Sequence, residues 1–512
     1  MVRLIVGSKY SRIATEVSPY VEREVSLALS YQKKNYQHMP AYKQGKWDGL
    51  VSLYEPGRIF MTGLLSIVRT ILKANDVEYD IEDRRSRPEK NFPELQFVNA
   101  QDIDERPYQE FAVSRSVDFT RGILRVATGG GKTLIATKII AVLQVRPFLF
   151  MVLTKDLMYQ ARDTLEHFLN VDIGVVGDGI CDIKDVTVCT VQTLVSCLHS
   201  NDRDFRPSEY KFDIEDIWNE DSIFTETNAE RVKQMLSECR GFYFDEVHHA
   251  AAKTCQEVIF AADNAYYKFG GSATPERDDG EDMVVQGLFG KKIVDVSASY
   301  LIRKKYLVPG HIFSTRVDAD ASGNTSYRSI YAQTIVNNDH FNRQVADVVL
   351  FLVDNGIPCL LLVQQIKHGK ILKKMLEESE YLTGKDTGKK RQKVIRQMRE
   401  GDLDILVATT LADEGLDIKR IGAVFMLGAG ASVTRVPQRM GRCLRLFPGK
   451  RFGLFFYFRH TVKYLFEQGR EVHKILGAEE EFTLKKVRGI GRLKQAVCNF
   501  INKNSGDFLD RI

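Results

Sequence analysis

The chain has few features of a specialised environment. Eight cysteines are scattered through 512 residues, with no Cys-x-x-Cys pair and no metal-ligand spacing. That excludes a disulfide framework or a zinc scaffold and fits a reduced, cytosolic compartment. No stretch approaches the roughly 20 apolar residues needed to span a bilayer, so no membrane partner is expected. The N-terminal run Met1-Val-Arg-Leu-Ile-Val-Gly7 lacks the long apolar core and cleavage site of a signal peptide. A large excess of one charge is missing as well. With 72 basic and 67 acidic residues the formal net charge is +5, too little to establish a nucleic-acid partner by itself.

What is there is ordinary globular composition, 44% hydrophobic and 27% charged, with nothing that points to large-scale disorder. The length predicts roughly three domains. Residues 1–95 form a first block with a local basic excess, carried by Arg3, Lys9, Arg12, Arg23, Lys33, Lys34, Lys43, Lys46 and Arg58. The block closes on a charged, proline-containing run, Ile81 to Pro93, expected as a linker. From Gly122 to about Thr274, apolar strand-like runs alternate with helical segments. Strands are expected at Gly122–Ala127, Phe148–Thr154, Val186–Thr190, Gly241–Asp245 and Tyr267–Gly271, with helices at Leu134–Val142 and Lys155–Phe168 between them. That alternation predicts a parallel sheet with crossover helices.

The pattern recurs at Cys359–Gln364, Tyr381–Thr383, Asp404–Ala408, Ala423–Leu427 and Gly453–Tyr457. The intervening helices are expected at His368–Glu378, Lys390–Glu400 and Val436–Arg442, and residues 278–339 read as a connection. Near the end, Lys485, Lys486, Arg488, Arg492 and Lys494 fall within a short acid-free stretch. That stretch is either a solvated helix face or a backbone contact.

Two local patterns carry chemistry. In Thr128-Gly-Gly-Gly-Lys-Thr133, preceded by a strand and followed by an apolar helix, the glycines Gly129, Gly130 and Gly131 let backbone amides turn toward phosphates at a helix N-terminus. Lys132 is suited to the outer phosphates of ATP and the Thr133 hydroxyl to Mg²⁺. The first glycine of the strict phosphate-loop pattern is replaced by Val126. In Gly241-Phe-Tyr-Phe-Asp-Glu-Val-His-His249, an apolar strand ends in adjacent carboxylates. Asp245 suits the Mg²⁺ shell and Glu246 suits the attacking water. A zinc pair at His248 and His249 is disfavoured, because adjacent histidines do not share a helix face and no third ligand is spaced nearby.

Asp245-Glu-Val-His248 resembles the DExH box of superfamily 2 helicases, and further segments come in that family's order. Arg106-Pro-Tyr-Gln109 resembles the Q motif, which implies that Gln109 reads adenine. Thr154-Lys-Asp-Leu-Met-Tyr-Gln160 and Val191-Gln-Thr193 resemble strand-backbone contacts, implying nucleic-acid roles for Thr154, Lys155, Gln192 and Thr193. Ser272-Ala-Thr274 resembles motif III, implying that Ser272 and Thr274, with His248, couple the two sites. Residues 408–417 resemble motif V, implying a nucleic-acid contact at Thr410 and a coupling role for Asp417. Gln438-Arg-Met-Gly-Arg-Cys-Leu-Arg445 resembles motif VI. There Gln438 is implied in nucleotide binding, Arg442 and Arg445 as arginine fingers, and Arg439 as a residue that positions the motif.

The resemblance spans about Arg106 to Tyr457. It implies an α/β fold of two tandem RecA-like parallel-sheet lobes behind a small N-terminal α+β domain. The expected divisions are residues 1–95 (a DNA-binding module), 96–300 (first lobe), 301–470 (second lobe) and 471–512 (a basic tail). Gly270–Gly280 and Leu301–Pro309 resemble the DNA-repair branch of the superfamily. Tyr42-Lys-Gln-Gly-Lys-Trp-Asp-Gly-Leu50 resembles the small N-terminal domain of UvsW-type phage helicases, which unwind and branch-migrate DNA junctions.

The implied activity is ATP- and Mg²⁺-dependent unwinding or branch migration of single-stranded, duplex or branched DNA, in replication, recombination or repair. The chain is expected to act as a monomer, in the cytoplasm, or in the host cytoplasm if phage-encoded. An RNA or RNA–DNA hybrid helicase and an ATP-gated DNA clamp without unwinding are the alternatives. Trp47 and Tyr42 either stack on bases among Lys43, Lys46 and Arg58 or, for Trp47, anchor a small core.

Overall fold

The computed structural model describes residues 1–200, 202, 226–276, 280–319, 326–409, 416, 418–428, 430, 432 and 434–504. They form two compact units, Met1–Val126 with Gly131–Asp295, and Ala127–Gly130 with Val296–Ile512.

The first unit contains two sheets. The N-terminal one has five strands in the order Tyr54–Glu55, Ile59–Met61, Tyr10–Ile13, Val2–Val6, Tyr79–Asp83. The run expected as a linker from Ile81 therefore begins inside a strand, because Leu4 pairs with Ile81 and Val6 with Asp83 in parallel register. Helices Pro19–Ala28 and Leu65–Ala74 bury Val21, Val25, Val68 and Leu72.

The second sheet has eight strands, ordered Ile180–Asp182, Ile173–Gly177, Val186–Thr190, Phe148–Val152, Gly241–Asp245, Tyr267–Ser272, Arg121–Val126, Lys292–Val296. Its inner strands are parallel. Phe148–Val152, Gly241–Asp245 and Tyr267–Ser272 are buried along their whole length, and Phe148–Val152 reads accordingly as an unbroken apolar run. The five expected strands are present within one or two residues. Ile173–Gly177, Ile180–Asp182 and Lys292–Val296 are additional.

The N-terminal block shares a core with this lobe: Val2, Leu4, Phe60 and Met61 belong to the same apolar cluster as Leu288 and Phe289. At the seam two backbone segments come close. A Cβ on Gly63 would lie 2.1 Å from the Gln286 carbonyl oxygen. Two buried cations also meet there, Arg121 Nη2 donating to the Ser8 carbonyl at 3.0 Å and Lys268 Nζ to the same oxygen at 3.4 Å. Burial pushes Lys268 well below its usual range and Arg121 down to about 9.

The second unit is built on seven strands, ordered Glu380–Leu382, Ile405–Thr409, Cys359–Val363, Ala423–Leu427, Gly453–His460, Gly310–Val317, Phe482–Val487. All are parallel to their neighbours. Two strands fall where the sequence predicts none. Gly310–Val317 lies in the supposed connection, and Phe482–Val487 lies in the supposed tail, at the sheet edge beside Gly310–Val317. Lys485 and Lys486 are thus on an exposed edge strand, where lysine also discourages pairing with another chain.

The strand Gly241–Asp245 carries the paired carboxylates at its end. Phe242 and Phe244 face Phe289 edge-on, at 5.9 and 6.0 Å between ring centres, while Tyr243 on the other face stacks on Phe150 at 5.2 Å. Each fully buried aromatic contributes about 1.5–3 kcal/mol. Tyr243 fits only because its neighbour on the next strand has no side chain: a Cβ on Gly271 would lie 1.8 Å from the Tyr243 hydroxyl oxygen. Gly271→Ala is expected to lower stability by about 1–3 kcal/mol in urea unfolding, by displacing Tyr243. An unchanged unfolding midpoint would contradict this packing.

Candidate functional site

The glycine-rich turn comes directly after the strand Arg121–Val126. Gly129 and Gly131 have φ of 84° and 79°, a region most side chains avoid. Gly131 caps the helix Lys132–Leu143, whose first turn closes with Ile135 N–H donating to Gly131 O at 3.0 Å. Gln109, buried on the helix Pro107–Phe119, crowds the same turn, its Nε2 lying 2.8 Å from where a Cβ on Gly131 would stand. Thr128, Gly129 and Gly130 fall in the second unit, and Gly131, Lys132 and Thr133 in the first.

Asp245 and Glu246 stand at the end of the aromatic strand. Asp245 is buried, and its Oδ1 accepts the Glu246 N–H at 3.1 Å. Burial and the adjacent Glu246 push its carboxyl up to about 6, against the pull of Lys132. Glu246 has left-handed backbone, φ 52° and ψ 55°, uncommon for a residue with a Cβ. Its two carboxylate oxygens serve different partners. Oε1 lies 3.5 Å from Lys132 Nζ, and Oε2 accepts the Ser272 hydroxyl at 3.1 Å.

Ser272 Oγ also receives the Thr274 N–H at 3.1 Å and lies 3.0 Å from His248 Nδ1. With the serine proton committed to Glu246, His248 must donate, which assigns the hydrogen to Nδ1. A continuous polar chain therefore runs Lys132–Glu246–Ser272–His248 inside the first unit. Among the described residues no group of three or more His, Cys, Asp or Glu is arranged to hold a metal ion by itself. The oxygens of Thr133 and Asp245 nevertheless suit a hard cation.

Several of the side chains expected to touch nucleic acid make bonds within the first unit. Thr154 Oγ1 caps the helix Lys155–Phe168 by accepting from Leu157 N–H at 3.3 Å. Lys155 is paired with Asp178, which also accepts from Tyr159 Oη at 3.0 Å. Gln192 is buried and donates to Leu153 O at 2.6 Å, while Thr193 Oγ1 accepts from Thr190 Oγ1 at 2.9 Å. These side chains tie together the loops at the carboxyl ends of their strands.

In the second unit Gln438 and Arg442 lie on the helix Arg435–Leu444, and Arg445 ends it. Arg442 donates to the Leu416 carbonyl. Arg439 is 2% exposed. Burial and Arg399 bring Arg445 down to about 10. Thr410 and Asp417 lie outside the described residues, as do Arg277, Asp278 and Asp279 of the Gly270–Gly280 run.

Lys450 is a residue that sequence reasoning misses. It is buried and donates to the carbonyls of Lys419 at 3.2 Å and Ile421 at 2.5 Å, fixing the chain that leaves the motif V segment. No pattern around Lys450 signals this in the sequence. Trp47 is half-buried, lies outside the shared apolar cluster, and donates Nε1–H to Leu50 O at 2.6 Å.

Residues 102–277 match the family described as Type III restriction enzyme, res subunit, and residues 343–447 match the Helicase conserved C-terminal domain. The chain is 25% identical over 442 residues to a DNA 3'-5' translocase XPB2 of Sulfurisphaera tokodaii, covering 77% of this chain and 91% of that one. It is 20% identical over 460 residues to the ATP-dependent DNA helicase uvsW of Enterobacteria phage T4, covering 85% and 86%. A protein of a Sulfolobus islandicus filamentous virus is 28% identical over 243 residues, 44% of this chain and 43% of that one. Among solved structures, Saccharomyces cerevisiae Dbp5 bound to RNA and ADP BeF3 superposes with a TM-score of 0.54 at 14% identity, over 79% of this chain and 95% of that one. That likeness supports the paired RecA-like fold.

Asp245→Asn is expected to stabilise the nucleotide-free protein at pH 7.5. The native state holds the Asp245 proton more tightly than the unfolded chain, whose carboxyl has the usual value near 3.8. Its contribution to stability therefore falls as pH rises from about 4 to 6. The gain from asparagine should shrink as pH drops through that window, as thermal unfolding would reveal. A loss of stability at pH 7.5 would contradict the charge account.

Proposed function

The chain belongs to the superfamily 2 helicases, and from that premise we propose that it is an ATP-driven DNA helicase or translocase that unwinds or branch-migrates branched DNA. The observation that carries the reading is the polar chain from Lys132 through Glu246 to Ser272 and His248. It joins the phosphate-loop lysine to the segment that resembles the family's coupling element. The relatives named as DNA translocase and DNA helicase support DNA as the partner. The similarity to the phage helicase supports a branched substrate, and residues 1–95 are then a DNA-binding module built onto the first lobe.

In this reading the Gly129–Gly131 amides and Lys132 bind the phosphates of ATP, and Gln109 binds its base. Thr133 and Asp245 would hold Mg²⁺, which when bound with ATP neutralises charge on the transferred phosphoryl group. Glu246 orients the attacking water and takes its proton. Lys132 Nζ lies 3.5 Å from its Oε1 and holds that carboxylate oxygen in place. Ser272 fixes the second carboxylate oxygen, so movement of the Ser272–Thr274 segment and of Glu246 is linked. Arg442 and Arg445 keep the arginine-finger role that the family resemblance implies. Among the described residues no helix is long and apolar enough to cross a membrane.

Lys132→Ala is expected to abolish ATP binding. Glu246→Gln should retain ATP, measured by equilibrium binding, while turnover falls roughly 10²- to 10⁴-fold, the usual worth of a general base. Both variants should fail to move a four-way DNA junction in a gel assay. Normal turnover by Glu246→Gln would refute the assignment of the base.

A further inference from the structure

The second unit carries an aromatic group that the ATP-site residues do not use. Strands Gly310–Val317 and Gly453–His460 end level, Val317 paired with His460, and Thr461 N–H donates to Val317 O at 3.1 Å. Just beyond, the backbone makes a γ-turn. Leu465 N–H donates to Lys463 O at 2.9 Å, and Tyr464 between them has φ 67° and ψ −53°. That is the strained form of the turn, and for a bulky residue a genuine outlier. The neighbours enforce it. Leu465 is buried at the start of the helix Leu465–Gly477, and Phe466 N–H donates to Val462 O at 2.9 Å.

Strain of this kind persists where the surroundings over-determine it, and it clusters at ligand sites. Here its result is an aromatic ring held out toward solvent: Tyr464 is 39% exposed. The ring is braced and charged. Lys463 Nζ lies 5.1 Å from its centre, and Tyr327 meets it edge-on at 6.2 Å. Tyr327 Oη donates to Gln364 Oε1 at 3.4 Å and accepts from Gln468 Nε2 at 3.4 Å. Tyr464, Tyr327 and Gln364 all come after the carboxyl ends of parallel strands, the edge at which open α/β sheets bind ligands. Lys463, Arg328 and Lys367 are exposed there.

We propose that Tyr464 is a stacking platform for a base of single-stranded DNA, with Lys463 attracting the adjoining phosphate. A braced, outward ring beside a cation is the combination that single-strand sites use, and it tolerates any base because every base has a π-face. The proposal rests on the DNA-motor reading and names where in the second unit the displaced strand is gripped.

Binding of the full-length protein to fluorescent oligo(dT), followed by anisotropy at one low salt concentration, tests it. Tyr464→Gly removes the ring and suits the positive φ, so its melting temperature should be unchanged or higher. Its DNA-free ATP turnover should match wild type, while its affinity for oligo(dT) falls about tenfold. Tyr464→Phe should bind like wild type. A 5-iodouracil oligonucleotide should photocrosslink to the peptide containing Tyr464. Wild-type affinity in Tyr464→Gly overturns the proposal, as does a loss in Tyr464→Phe as large as that in Tyr464→Gly, or crosslinking confined to other peptides. If wild type itself binds no DNA, the motor reading falls and this proposal with it.

Discussion

Two carboxylates side by side at the end of a buried strand repel each other and are poorly solvated, and the first lobe is organised around that problem. Asp245 responds by holding its proton up to about pH 6. Glu246 is relieved by a lysine on one oxygen and a serine hydroxyl on the other. Burying Asp245 beside a second carboxylate costs stability, the ordinary cost of a functional site.

Packing gives that arrangement its geometry. The strand that ends in the carboxylates is locked by aromatic contacts on both faces, and Gly271 leaves the space that Tyr243 fills. The rigid strand then hands the chain to Glu246 in left-handed backbone, which turns its side chain toward Lys132 and Ser272. Ser272 ends the strand next to Gly241–Asp245, and Gly271 stands opposite Asp245 in the register. The Ser272–Glu246 contact thus arises from strand order. The N-terminal block is bound to the same lobe by a shared core and by cations whose charge is answered by a backbone carbonyl. Whatever that block grips is therefore carried by the lobe that holds Lys132.

Legibility in the sequence tracks burial. Strands covered on both faces, such as Gly241–Asp245 and Ala423–Leu427, are plain because burial demands an apolar run. Gly310–Val317 is not, because His311, Ser314, Thr315 and Arg316 break its apolar signal, although Ser314 and Thr315 are fully buried. Phe482–Val487 is hidden by the lysines of an edge strand, and Ile173–Gly177 by its two glycines. Among site residues, the loop, the carboxylate pair and motif VI stand out by type and spacing. The backbone of Glu246, the stapling bonds of Gln192 and the buried Lys450 depend on tertiary contacts that no local pattern encodes.

The central claim is that branched DNA drives ATP turnover. Steady-state hydrolysis should be measured at one fixed salt concentration without nucleic acid, and with single-stranded DNA, duplex DNA, a four-way DNA junction and single-stranded RNA. Strong stimulation by the junction with little by RNA is the predicted result. Best stimulation by RNA would contradict the DNA assignment while leaving the motor in place, and no stimulation by any nucleic acid would contradict the motor itself.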